Sequence, residues 1–183
     1  FLKSAEALEP YFAQAAWMGM SLNVSPEALF TLLRRWGKWA EREMYTATGD
    51  VNTHKGAIFT MGVFCAAIGR CVHDGNMDME SIRTLEQQMV SKQLQRELET
   101  LSQREAITYG EKNYCRYGSR GIRGAAINGY SEVFEEALPI LKEGKRQNKD
   151  WNRVKLQVLI TLMSRIEDSN IIARRDLPTL KAV

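Results

Sequence analysis

Apolar residues along this chain recur at intervals of three and four, and the breaks between the runs carry cap and turn residues rather than hairpin signals. Residues 1–17 set Leu8, Phe12 and Ala15/Ala16 at a helical period. Ser25-Pro26-Glu27 is a start signal: a capping hydroxyl, a proline at the first helical position and an acid near the positive end of the dipole. The helix it opens carries Leu29, Leu32, Leu33, Trp36 and Ala40 on one face and basic residues opposite. A polar loop, Thr46–Val51, leads to Asn52-Thr53-His54-Lys55-Gly56, which opens onto the apolar run Ala57–Gly69. Thr53 is the expected cap there. Within the run, Gly62, Ala66 and Gly69 recur at a spacing that lets another helix approach closely, so a buried central helix is predicted over about 53–70.

The second half continues in the same way. After a turn at His73–Asn76, Asp78 is the next cap, and Leu85, Met89, Leu94, Leu98 and Leu101 mark one long amphipathic helix whose polar face is read as solvated. Ser102-Gln103-Arg104-Glu105 fits a capping box, with a helix running to about Tyr117 and a glycine-rich turn after it. Ser131 is read as the next cap, Pro139 as a kink, and Asp150 as the cap of a last long helix, Trp151–Ile166. The predicted fold is all-α: one multi-helix bundle, a single domain over residues 1–183.

Composition narrows the class rather than the function. The 183 residues suffice for a full core, and the 44% apolar and 26% charged shares are those of a globular protein. A net charge of +3 is too mild to argue for nucleic acid, though it suits polyanionic small molecules. The run Ala57–Gly69 is shorter than a membrane span and lies mid-chain, so no membrane role is expected. Three cysteines, Cys65, Cys71 and Cys115, are an odd number and suit reduced thiols in a cytoplasm. Cys71-Val72-His73 lacks the second Cys/His pair that zinc needs. The tryptophans at 17, 36, 39 and 151 lie at helical spacing and are expected in the core.

Three stretches carry candidate chemistry. A helix starting near Thr53 aims its free N–H groups, the Lys55 ammonium and the His54 imidazole at one point, which is an anion site or, alternatively, a plain cap. In Tyr117-Gly118-Ser119-Arg120-Gly121-Ile122-Arg123-Gly124, glycines at 118, 121 and 124 permit positive φ and close approach of backbone to ligand, with two arginines between them. An exposed interhelical turn is the alternative. Glu167-Asp168-Ser169-Asn170, followed by Arg174 and Arg175, gathers carboxylates that can hold Mg²⁺ or face a cationic carbon; a helix-end cap is the alternative. His54, His73-Asp74 and Asp168 also follow the order of an HD-type metal-dependent phosphohydrolase, but no further histidine completes that site.

Together the three stretches resemble the triphosphoribosyl-dephospho-CoA synthases, which make the prosthetic-group precursor of citrate lyase and malonate decarboxylase. The resemblance rests on Val51–Phe59, on Gly121-Ile122-Arg123-Gly124 and on Glu167–Asn170 with Arg174, with Thr108–Glu111 and Ala137-Leu138-Pro139 in register between them. It implies an all-helical enzyme in which the ribose 2′-hydroxyl of 3′-dephospho-CoA displaces adenine from C1′ of ATP. It further implies that Asn52, Thr53, His54, Lys55, Gly56, Arg123 and Gly124 hold the triphosphate. Glu167 and Asp168 then position Mg²⁺ or stabilise the oxocarbenium-like centre, and Asn170 and Arg174 orient the site. The partners it implies are ATP and 3′-dephospho-CoA, and it leaves a homodimer open. Two departures stand out. The family places a glutamate after the Arg-Gly of the second motif, where this chain has Ala125; Glu111 is the carboxylate nearest in kind to compensate, and a nucleotide- or CoA-binding homologue without turnover is the alternative reading. Family members also carry a segment ahead of the position matching Phe1, so the domain is expected to lack an N-terminal segment.

Overall fold

The computed structural model describes residues 1–103, 105–166 and 172, and is helical throughout, with no strand among the described residues. The order is α1 (Leu2–Ser21), α2 (Pro26–Thr48), α3 (Lys55–Asp74), α4 (Met79–Glu99), a 3₁₀ turn (Thr100–Gln103), α5 (Tyr109–Tyr117), α6 (Gly121–Ile127), a π-helical turn (Glu132–Ala137), α7 (Leu138–Arg146) and α8 (Trp151–Arg165). The chain forms two compact units, Phe1–Arg96 and Glu97–Val183.

The first unit is organised around α3, as the small-residue spacing predicts. α1 and α2 both pack on it and on each other. A Cβ on Gly69 would overlap the carbonyl oxygen of Ala16, and one on Gly19 would overlap that of Ala66. Backbone therefore meets backbone where α1 crosses α3, and a methyl group on either side would force the helices apart. Gly62 makes room for Tyr11, whose buried hydroxyl donates to the Ile58 carbonyl at 3.2 Å and whose ionisation burial opposes. Arg70 closes the far end of the crossing. It donates to the carbonyls of Gly19 (3.0 Å), Leu22 and Val24 (3.3 Å), a cation at the C-terminus of α1 where the dipole favours one. At 20 residues α3 exceeds the apolar run that announces it, and by length and composition it could cross a membrane. Its small residues Gly62, Ala66 and Gly69 are met by α1.

Caps at Ser25, Asp78 and Asp150 form as expected, each accepting from the backbone N–H three residues on. Four expectations shift. The tryptophans do not fill the core: Trp17, Trp36 and Trp151 are exposed, and on α2 the buried stripe runs through Leu29, Phe30, Leu33, Ala40 and Met44, off the Trp36 position. The polar face of α4 is not wholly wet, since Glu86 is fully buried between Ile82 and Met89. Helix α5 does not start from Ser102, because residues 105–107 are non-helical and the box is made by Thr108 and Glu111. Ser131 precedes the next helix in αR geometry and makes no side-chain cap bond.

In the second unit, α7, α8 and the π-helical turn pack together. Pro139, the residue expected to kink a helix, stands in the first turn of α7 directly after the π-helical turn, where its missing N–H is least needed. Gly144 lets α8 come close, since a Cβ there would lie 2.6 Å from a methyl of Val154.

Candidate functional site

The first stretch lies at the surface of the first unit, at the N-terminus of α3. The N-cap position of this helix is His54 rather than Thr53, and its side chain makes no cap bond; the Asn52 side-chain oxygen accepts from the Lys55 N–H at 3.2 Å. Thr53 is drawn elsewhere by a nearer partner, the hydroxyl of Ser4 on α1, at 2.9 Å. His54 follows it. Its Nδ1 lies 2.8 Å from the Ser4 Oγ and 3.1 Å from the Thr53 Oγ1, and its ring meets Phe1 edge-on with centroids 5.6 Å apart. The His54 N–H points at the Met44 sulfur, 3.1 Å away. The imidazole and the ammonium thus each have a different protein partner. Lys55 Nζ sits 3.0 Å from the Glu41 carboxylate. That pair is about half exposed, so it is worth no more than ~1 kcal/mol and yields readily to a stronger anion. The N–H groups of Gly56 and Ala57 belong to the first turn, where a helix supplies no acceptor, and a Cβ on Gly56 would meet nothing within 4 Å. An anion approaching here finds an open face.

The second stretch belongs to the second unit. Gly118 ends α5 in the left-handed region (φ 72°) and Gly121 opens α6 with φ 49°, so the conformational freedom expected of both is used. Gly124 is different. It is helical and buried inside α6, and is required because a Cβ there would overlap the Arg120 side chain. Arg123 is three-quarters buried, its Nη2 3.6 Å from the Glu111 Oε1. Glu111 itself is 4% exposed; its other oxygen accepts from the N–H groups of Ile107 (2.9 Å) and Thr108 (3.1 Å), completing the capping box with the Thr108 hydroxyl. This carboxylate builds the start of α5 and orients Arg123. Ala125 is half-buried on α6.

The third stretch, Glu167, Asp168, Asn170 and Arg174, lies outside the described residues. Among the described residues no three His, Cys, Asp or Glu side chains gather as a metal ion needs, and the three cysteines are free thiols. His73 ends α3 on an exposed turn.

The sequence reading missed Ser4, Met44 and Glu41, the residues that hold His54 and Lys55. Ser4 had a signal. It is a polar residue in the same helical stripe as Leu8, Tyr11 and Ala15, and a hydroxyl on an apolar face asks for a partner.

Comparison with known proteins bears on the whole chain. A relative in Streptococcus mutans, named "Probable 2-(5''-triphosphoribosyl)-3'-dephosphocoenzyme-A synthase", is 34% identical over 195 residues, covering 100% of this chain and 66% of its own length. One in Klebsiella pneumoniae, named "2-(5''-triphosphoribosyl)-3'-dephosphocoenzyme-A synthase", is 34% identical over 186 residues, covering 100% of this chain and 61% of its own. The chain thus spans somewhat less than two thirds of the relatives it matches. No solved structure matches. The model of one protein family matches from residue 1 to residue 183, and by that match the chain belongs to the ATP:dephospho-CoA triphosphoribosyl transferases.

Proposed function

We propose that this chain carries the chemistry its family is named for: the 2′-hydroxyl of 3′-dephospho-CoA attacks C1′ of ATP, the C1′–N bond breaks and adenine leaves. The triphosphate stays on the transferred ribose. The observation that carries the reading is the family match over residues 1–183. The exposed first turn of α3 supports it. Lys55, with a weak and exchangeable partner, and the N–H groups of Gly56 and Ala57 offer charge and donors to a polyphosphate. Asn52 and Thr53 build the turn that presents them. In the second unit Glu111 holds the Arg123 guanidinium, a further candidate phosphate group, and Gly124 leaves room for the Arg120 side chain. Glu167 and Asp168 are assigned to Mg²⁺ on the phosphates or to the cationic sugar centre, and Asn170 and Arg174 to orientation. Free thiols support a cytoplasmic setting.

Incubation with ATP and 3′-dephospho-CoA, followed by mass spectrometry of free adenine, tests the reading. Adenine and a triphosphoribosyl adduct of dephospho-CoA are expected, and a folded sample that binds both yet releases none would overturn it. A second reading, binding without turnover, rests on Ala125. The position is half-buried at a helix surface, so a carboxylate fits there without being stranded from water. On that reading the wild-type chain makes no adenine and Ala125→Glu does; equal rates in the two proteins would remove it.

A further inference from the structure

The Ser4 hydroxyl is fully buried and has three partners: the Phe1 carbonyl at 2.8 Å, the Thr53 Oγ1 at 2.9 Å and the His54 Nδ1 at 2.8 Å. A hydroxyl has one proton and two accepting lone pairs. The carbonyl can only accept, so the Ser4 proton goes to Phe1. Were it turned to His54 instead, the lone pairs of the two oxygens would face each other across 2.8 Å in a buried site. With the proton on the carbonyl, the other two partners must donate into Ser4. Thr53 does so through its O–H, and His54 through Nδ1–H. The 3.1 Å approach of Nδ1 to the Thr53 oxygen agrees, since that oxygen still has lone pairs to offer. All three contacts are satisfied by one proton arrangement.

From this we infer that Ser4 is a positioning residue that locks neutral His54 in the Nδ1–H tautomer, so that Nε2 carries the lone pair and accepts. This changes what the ring can hold. A neutral imidazole with Nε2 bare cannot donate to a phosphate oxygen from that atom, but it accepts a hydrogen bond from a hydroxyl. His54 therefore recognises a ribose hydroxyl, while polyphosphate contacts fall to Lys55 and the first-turn amides of α3. Phe1 against the ring restrains the imidazole further, and the Met44 sulfur accepts from the His54 backbone N–H. The ligand assignment rests on the proposed function; the tautomer does not.

The two claims separate in one experiment. In protein labelled with ¹⁵N-histidine, and carrying His73→Gln so that one ring remains, long-range ¹H–¹⁵N spectra are recorded at a pH where the ring is neutral. The expected spectrum has Nδ1 in the protonated, pyrrole-type range and Nε2 far downfield in the pyridine-type range; the reverse pattern overturns the assignment without any further variant. Ser4→Ala, with helix content checked by circular dichroism, is expected to lose the preference and give a mixture or the opposite tautomer. An unchanged spectrum would show that Ser4 does not set it. ATP and inorganic tripolyphosphate are then compared at saturation. ATP is expected to move the Nε2 resonance and tripolyphosphate to leave it in place. An equal shift from tripolyphosphate overturns the hydroxyl assignment alone. No response anywhere in the protein to either ligand overturns the ATP reading, with the tautomer result intact.

Discussion

A methyl group placed on Gly69 would occupy the space of the Ala16 carbonyl oxygen, and that oxygen is backbone, not the loose end of a side chain. Overpacking usually costs about 1–3 kcal/mol, and a site where the helices themselves must separate belongs at or above the top of that range. Gly69→Ala is therefore expected to lower the urea midpoint by the equivalent of ~3 kcal/mol at an unchanged m-value. Gly56→Ala is the contrast. Nothing lies within 4 Å of its missing Cβ, so stability should hold or rise by ~0.5 kcal/mol as the unfolded chain loses freedom. Glu86 makes a different kind of prediction. Both its carboxylate oxygens are buried without a hydrogen bond, and burial pushes its pKa up to about 8 against the opposing pull of Arg83. The folded protein keeps this proton while the unfolded chain releases it near 4.5. Stability should thus fall as pH rises from about 4.5 to about 8, by at most ~1.4 kcal/mol per pH unit. Glu86→Gln should flatten that slope in denaturation curves taken across the window, and an unaltered slope would mean that the carboxyl ionises in place.

Helix starts were the most legible elements, because a cap and the N–H it binds lie only three residues apart. Ser25, Asp78 and Asp150 each needed nothing beyond their own neighbourhood. The box expected ahead of α5 was at Ser102/Glu105; the same pattern recurs at Thr108/Glu111, and local pattern does not rank the two. The second one forms, and its Glu111 also faces Arg123, a partner twelve residues away that no spacing rule supplies. Glu86 was illegible for a related reason. A charge within a run of Gln, Lys and Arg reads as wet until the phase of α4 is known, and the buried stripe Ile82, Glu86, Met89, Val90 and Leu94 fixes that phase. The double use of Glu111 can be tested on the element itself. Thr108→Ala removes only a cap and should cost ~1 kcal/mol. Glu111→Gln keeps an oxygen for the N–H groups of Ile107 and Thr108 yet removes the charge beside Arg123. It should therefore disturb stability less than Glu111→Ala while changing ATP affinity as much. Equal stability losses in the two Glu111 variants would show that the carboxylate's charge, not its cap, holds α5.

Over the whole molecule, what pattern conveyed best was membership of a family, and what it conveyed least was which side chains meet. Val51–Phe59 was recognisable as a motif, but the contact of His54 with Ser4 joins positions 50 residues apart and follows only once α1 is laid on α3. The consequence is that anion binding was read from three cationic or donor groups when one of them, His54, is already committed. Ligand linkage measures how much remains. A ligand that binds only the folded chain stabilises it by about 2.7 kcal/mol at one hundred times its dissociation constant. For a chain of this size that corresponds to a rise in melting temperature of roughly 5–10 °C. ATP at that excess should give such a rise, and tripolyphosphate a large share of it if Lys55 and the α3 amides supply most of the binding. The tripolyphosphate share should shrink between low salt and 0.15 M, because the Lys55–Glu41 pair is solvent-exposed and its field is screened within about 8 Å. Lys55→Ala should remove most of the tripolyphosphate shift and leave a residual one with ATP, carried by its sugar and base. If Lys55→Ala left both shifts whole, the N-terminus of α3 would not be where the phosphates bind, and Arg123 would be the group to test next by the same measurement.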